Sequence, residues 1–113
     1  MSTTDPGLSR AALNGFDKIF EHRVRLAVCV LLSRSNGITF RHFKDLLEET
    51  DGNLGAQLRR LEDEGYVSAS KRFENRKPVT WYRLTPAGRR ALRAHVEALD
   101  VLLREPGAGA RAG

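Results

Sequence analysis

The spacing of the apolar residues changes abruptly at Gly65, and this change limits the folds that the chain can adopt. Residues 50–64 carry leucines at i, i+4 and i+7, which line one face of an α-helix. A glycine directly after such a segment is typical of a helix C-terminus. Residues 67–71 and 79–84 alternate instead, which predicts two β-strands joined by the polar loop 73–78. The sequence therefore predicts a leucine-faced helix followed by an antiparallel hairpin with a basic tip.

Helices are expected on both sides of this unit. Apolar residues three and four positions apart predict helices over residues 13–20 and 22–33, and leave open whether the two are continuous. Thr39 is suited to cap a further helix, and Thr85 with Pro86 is typical of the start of the last one. The expected order is helix, short extended piece, helix, tight turn, helix, hairpin and helix.

One domain is expected over residues 13–103, between flexible tails at 1–12 and 104–113. The longest apolar run, residues 26–32, is too short to cross a bilayer, so we expect a cytoplasmic protein without a membrane partner. The single cysteine, Cys29, excludes an internal disulfide and a cysteine-rich zinc site, and its apolar surroundings predict a buried, inert thiol.

Charge is concentrated in one part of the chain. The net charge is +5, with 19 lysines and arginines against 14 acids. Residues 66–93 hold eight basic residues and one acid, or +7, which leaves −2 for the rest. Such a concentration more often faces a polyanion than solvent alone, and it favours nucleic acid as the partner.

Two segments carry a resemblance to a known family. TDGNLGAQLRRLEDEGYV (50–67) and RKPVTWYRLTPAGRRAL (76–92) resemble small bacterial and archaeal winged helix transcriptional regulators, which are related to the MarR and ArsR groups. The resemblance implies an α+β, mainly α fold, with a three-helix core, a two-stranded wing and a C-terminal dimerisation helix. It also implies a homodimeric, repressor-type protein that binds double-stranded DNA through its third helix.

The helix after Thr50 is the expected reader of the DNA major groove. Asparagine and glutamine pair with adenine, arginine pairs with guanine, and small residues let the backbone approach. An ordinary solvated helix face is the alternative, and Asp51 also fits a role in stabilising the helix start. The expected contact residues are Thr50, Asp51, Gly52, Asn53, Ala56, Gln57 and Arg60.

The hairpin is the expected wing. Its phosphate contacts are expected from Lys71, Arg72, Asn75, Arg76 and Lys77. Arg76 at the tip is the candidate for the minor groove, although a freely solvated arginine is equally compatible with the sequence. Alternation along the second strand predicts that Tyr82 and Leu84 are buried and that Trp81 packs, partly exposed, beside the wing.

The terminal helices carry more apolar surface than one small core needs, which favours a homodimer. A two-fold dimer would place two recognition helices in successive major grooves, roughly 34 Å apart. The alternative is that both helices simply cover their own domain. The expected dimer contacts are Leu13, Phe16, Phe20, Leu92, Val96, Leu99, Leu102 and Leu103.

Other classes of function fit the sequence less well. A winged helix that binds protein would need a neutral or acidic wing, and a small basic RNA-binding protein would recognise shape more than base edges. No nucleophile–base pair, phosphate loop or metal-ligand set is evident, so an enzyme, a cofactor and a metal are not expected. His22, His42 and His95 are far apart in sequence, and no residue pattern identifies a small-molecule effector.

Overall fold

The computed structural model describes residues 13–104. The elements are a 3-10 helix Lys18–Glu21, α1 Arg23–Ser33, β1 Ile38–Thr39, α2 Phe40–Leu47, α3 Asp51–Glu64, β2 Val67–Glu74, β3 Lys77–Leu84 and α4 Pro86–Arg104. The expected tails lie outside the described residues, apart from Arg104, which ends α4. None of the helices within residues 13–104 is both long and apolar enough to cross a membrane.

Side-chain caps fix the helices that follow β1. The hydroxyl of Thr39 accepts a hydrogen bond from the backbone of His42, and the hydroxyl of Thr50 accepts one from the backbone of Asn53, each at 3.1 Å. Gly65 follows α3 with a φ of 84°, a left-handed conformation that glycine adopts without steric cost. The predicted starts of α2 and α3, and the predicted end of α3, are therefore confirmed.

The predicted amphipathic helix over residues 13–20 is wrong, because the chain forms a turn and then the 3-10 helix there. Asp17 accounts for the difference. One of its carboxylate oxygens accepts a hydrogen bond from the backbone of Ile19, and the other accepts one from the hydroxyl of Tyr66. Its backbone N–H donates to Nδ1 of His95 at 3.1 Å. These contacts hold the segment against α4 and the entry to the wing, in place of helical hydrogen bonds.

The strands form an antiparallel sheet in the order β1-β3-β2, with the short β1 pairing Ile38 with Tyr82. The predicted six-residue loop 73–78 is too long, because β2 and β3 stay paired as far as Glu74 and Lys77. Only Asn75 and Arg76 form the turn, and both have a positive φ, 53° and 64°. That pattern is typical of a type I′ turn, whose twist matches the twist of the strands.

The core lies between the helices and the base of the hairpin. The three leucines of α3 are buried, as predicted, and Tyr82 reaches them from β3, while Leu84 packs at the edge. Cys29 is fully buried, and this burial, followed by the charge of Asp17, raises the pKa of its thiol to about 12. The buried hydrophobic residues are Ile19, Phe20, Val24, Val28, Cys29, Leu32, Ile38, Phe43, Leu54, Leu58, Leu61, Val67, Tyr82, Leu92 and Ala98.

The last helix approaches the wing closely at one glycine. A Cβ atom on Gly88 would overlap the backbone carbonyl oxygen of Tyr66 and would lie 2.9 Å from a methyl group of Leu84. Its backbone N–H donates to the hydroxyl of Thr85, which caps the helix start. The fold is the α+β, mainly helical winged helix that the sequence predicts, with α4 joined tightly to the wing.

Candidate nucleic-acid interface

Helix α3 buries only its leucine side, so its opposite side is open. Gly52, Ala56 and Arg60 are exposed on this helix, as are Thr50 and Asp51 at its start. Arg59 is exposed as well, although it was not among the predicted contact residues. It directly follows a core leucine. Because the apolar stripe of α3 is narrow, the residue that follows a core leucine points toward solvent, and this position in the sequence would have identified Arg59 as exposed.

Two predicted reader side chains of α3 are engaged within the chain. Asn53 and Gln57 are half-buried rather than fully exposed. The amide oxygen of Gln57 accepts from a guanidinium nitrogen of Arg25 at 2.7 Å, and its amide nitrogen donates to the oxygen of Asn53 at 3.2 Å. The amide nitrogen of Asn53 in turn donates to Glu49 at 2.6 Å, and Glu49 accepts from Arg23 at 3.2 Å.

This chain of hydrogen bonds runs from α1 across α3 and back to α1. Each amide oxygen already has one partner, so bidentate pairing with adenine would require this network to open or to share its acceptors. The expectation that both amides are free to face solvent is therefore not met. The network has a different consequence: it fixes the position of α3 relative to α1.

The charge of α3 is unevenly distributed along its length. Asp51 at its start pairs with Lys44 of α2, with 2.8 Å between Nζ and Oδ1. Arg59 and Arg60 follow in the middle of the helix, and residues 62–64 at its end are all acidic and exposed. A phosphate backbone is repelled by the acidic end. Residues 51–60 of α3, which end in these two arginines, are therefore the part that suits a polyanion.

The wing presents its five predicted contact residues to solvent: Lys71, Arg72, Asn75, Arg76 and Lys77. Asn75 and Arg76 form the turn itself, so no other part of the hairpin extends further. Arg72 has an intramolecular contact, because its guanidinium carbon lies 5.3 Å from the ring centroid of Trp81. Trp81, half-buried beside the wing as expected, also donates from its ring nitrogen to Glu74 at 2.8 Å.

The predicted dimer residues divide into two groups. Phe20 and Leu92 lie in the core of their own protomer, so the expectation that they contact a partner is wrong. Phe20 stacks on Tyr66 there, with 5.7 Å between ring centroids, and Phe16 is half-buried against His95. Leu102 is half-buried, and the exposed remainder of the set is Leu13, Val96, Leu99 and Leu103.

The histidines serve separate structural roles or lie alone. His22 caps α1 by accepting from the backbone of Val24 at 3.1 Å, and His95 accepts from the backbone of Asp17. His42 is exposed on α2. Within residues 13–104 no three histidine, cysteine or acidic side chains are grouped closely enough to hold a metal ion.

A helix with an open polar side, set beside a basic hairpin and packed on two further helices, defines a winged helix protein. Residues 24–103 match the family described as winged helix DNA-binding domain, and the chain belongs to this family. The chain is also 33% identical over 79 residues to the uncharacterized protein MJ0432 of Methanocaldococcus jannaschii. That match covers 70% of this chain and 86% of its relative.

Solved structures show the same fold. The transcriptional regulator homologue protein from Pyrococcus horikoshii OT3 superposes with a TM-score of 0.75 at 24% identity, over 86% of this chain and 94% of that chain. MepR of S. aureus, solved in a complex with DNA, superposes with a TM-score of 0.68 at 15% identity, over 95% of this chain and 87% of that chain. These two similarities establish the architecture of the chain.

Proposed function

We propose that the protein is a transcriptional regulator that binds double-stranded DNA in a sequence-specific manner as a homodimer and acts as a repressor in the cytoplasm. The observation that carries the proposal is the position of α3. The open side of its residues 51–60 carries Arg59 and Arg60 together with the small Gly52 and Ala56, and the helix lies beside a wing whose basic side chains are exposed. Membership of a DNA-binding family and the similarity to MepR, which was solved in a complex with DNA, support the same function.

In this arrangement α3 enters the major groove. Gly52 and Ala56 present no long side chain there, so the helix backbone can approach the base edges closely. Arg60 is suited to pair with guanine, and Arg59 to contact guanine or phosphate. Asn53 and Gln57 retain one amide N–H each outside their network, and each suits a single bond to a base acceptor.

The wing lies along the adjacent backbone. Lys71 and Lys77 are suited to phosphate, and Arg76 at the tip is suited to the minor groove. Each neutralised phosphate adds about 0.9 to the slope of log affinity against log salt concentration. The acidic end of α3 limits the orientations in which the helix can lie in the groove, because only residues 51–60 suit an approach to phosphates.

A second copy would complete the interface. On α4, Val96, Leu99 and Leu103 lie four, seven and eleven residues after the buried Leu92, so they continue its stripe outward into solvent. Apolar stripes of this kind are usually covered by a partner helix. A two-fold pairing along α4 would present two copies of α3 to one face of the duplex, with half-sites about one helical turn apart.

The proposal is tested by selecting duplexes from a random pool and measuring their binding by fluorescence anisotropy against an RNA competitor. We expect one duplex sequence to be retained in an excess of RNA and of unrelated DNA. Arg60→Ala should weaken binding to that duplex more than to an unrelated duplex, whereas Lys77→Ala should weaken both alike. Arg104→Ala removes the same charge at the end of α4 and serves as the control. If RNA and unrelated DNA displace the protein from every duplex equally well, sequence-specific recognition is refuted.

A further inference from the structure

One large apolar side chain of the wing is open to solvent within the described part of the protein. Phe73 is 78% exposed, the highest exposure of any large hydrophobic residue in this region. It pairs across the hairpin with Pro78, which is exposed as well. Exposing a phenyl ring costs free energy that a polar residue would avoid, and burial in the core of the protein does not explain this side chain.

The strand register shows where this pair faces. Directly paired residues share one face of a hairpin, and side chains alternate along each strand. Val67, which is buried, therefore lies on the same face of β2 as Phe73, with Ala69 and Lys71 between them. Helix α3 packs against β2. The Phe73–Pro78 pair thus faces the same side of the sheet as α3, but it lies about 13 Å beyond the last buried pair of the hairpin.

The surroundings of the pair are cationic. Lys71 lies on the same face, and Arg76 and Lys77 lie at the turn only a few residues away. A surface that binds another protein is usually a contiguous apolar patch of several hundred Å². Two apolar residues within a group of exposed cations instead complement a polyanion that offers an apolar surface between its charges. The faces of stacked bases, which lie between two phosphate backbones and become accessible when a step opens, have this chemistry.

We propose that Phe73, supported by Pro78, acts as a wedge that enters the DNA minor groove and partly unstacks one base step. This inference rests on the proposed function and deepens it, because it assigns a second source of sequence preference to the wing. Pyrimidine–purine steps unstack most easily, so a wedge favours a TA or CA step at its position without reading any base edge. The unstacked step bends the duplex toward the major groove.

The test uses the duplex selected with the wild-type protein, with 2-aminopurine replacing one adenine at a time. Fluorescence of 2-aminopurine rises when its base is unstacked. At saturating wild-type protein we expect a rise at a single step, and no rise with Phe73→Ala. The same substitution should weaken binding about tenfold, the usual loss when one aromatic contact to a base is removed, without changing the salt slope.

Two further variants separate the wedge from charge. Phe73→Leu keeps an apolar wedge and should retain part of the fluorescence rise. Arg76→Ala should lower the salt slope by about 0.9 and still unstack the step at saturation. Because Phe73 is exposed, Phe73→Ala should leave the protein folded, with at most a small fall in melting temperature from the lost strand propensity, which circular dichroism verifies.

Three results would overturn the inference. If Phe73→Ala binds and unstacks the duplex as the wild type does, no wedge exists and the proposed function stands. If Phe73→Ala changes the sedimentation of the free protein, the ring belongs to a contact between protein chains. If the pool yields no duplex preferred over RNA, the proposed function fails and the wedge fails with it.

Discussion

The turn of the wing provides a prediction in which stability and DNA binding change in opposite directions. Arg76 has a φ of 64°, in the left-handed region that is unfavourable for residues with a Cβ atom. Asparagine tolerates this region, so Asn75 before it costs little. An asparagine–glycine pair is the preferred sequence for such a turn, and the arginine therefore occupies a position that glycine would fill more favourably.

Arg76→Gly should raise the free energy of unfolding. The left-handed conformation costs an L-residue roughly 1–2 kcal/mol, and the greater freedom of glycine in the unfolded chain returns part of this gain. The net expectation is a stabilisation of about 0.5–1 kcal/mol, or a rise of about 3–6 °C in the melting temperature of a domain of this size. Arg76→Ala keeps the Cβ atom and should leave stability within about 0.5 kcal/mol of the wild type.

Both variants remove the same charge, so they should lower the DNA affinity, and the slope of log affinity against log salt concentration, by equal amounts. Urea denaturation followed by the fluorescence of Trp81, the only tryptophan of the chain, measures stability, and anisotropy with a salt series measures binding. If Arg76→Gly is no more stable than Arg76→Ala, the turn does not have the left-handed geometry on which the reasoning depends. If Arg76→Gly binds DNA as the wild type does, the tip of the wing does not contact DNA.

The other predictions concern packing, assembly and pH. Gly88→Ala should destabilise the fold by about 2–3 kcal/mol, because its Cβ meets a fixed backbone carbonyl. Gly55→Ala has open space around it and should stabilise α3 by about 1 kcal/mol. If urea denaturation gives both variants a change in stability of the same sign, this packing is contradicted. Leu99→Glu combined with Leu103→Glu should give a folded monomer in sedimentation velocity, and a persisting dimer would show that α4 does not form the interface. Because burial raises the pKa of Cys29 from 9.0 to about 12, the unfolded chain loses this proton first, and stability should fall by up to about 4 kcal/mol as pH rises through that range. Cys29→Ala should lack this part of the alkaline fall, and an unchanged pH profile would contradict the assignment.

Local patterns were sufficient to predict most of the fold. The leucine spacing of α3, its threonine cap and its terminal glycine each depend on residues close in sequence, and all three predictions are confirmed. The alternation after Gly65 similarly predicted the hairpin and the burial of Tyr82. Such features can be predicted because helix and strand periodicity are properties of the backbone.

The errors arose where a distant residue determines the local structure. The segment before α1 has helical spacing, but Asp17 bonds to Tyr66 and His95 instead, and those partners are 49 and 78 positions away. The prediction that Phe20 lies on a dimer surface is wrong for a similar reason, because a residue distant in sequence, Tyr66, packs against its ring. Its periodicity shows that the ring is buried, but does not show whether its own protomer or a partner buries it.

The candidate site was predicted less completely than the fold. Gln57 lies three residues after Leu54 and four before Leu61, so a helical projection already places it at the border of the leucine face, but only the packing of α1 shows that Arg25 is its partner. The length of the strands was underestimated, because the polar residues near the turn do not alternate in hydrophobicity although they remain paired. Between Phe73 and Pro78 the residues of the tip are all polar or charged, so periodicity does not indicate the extent of the strands there.

The central claim is that residues 51–60 of α3 and the wing together form the DNA-binding surface. Titration of the isotope-labelled protein with the selected duplex, followed by two-dimensional NMR, tests this claim residue by residue. We predict that the backbone signals of residues 51–60 and 71–77 shift most and that those of the exposed stripe of α4 shift least. Shifts concentrated on α4, with the signals of α3 and the wing unchanged, would contradict the account.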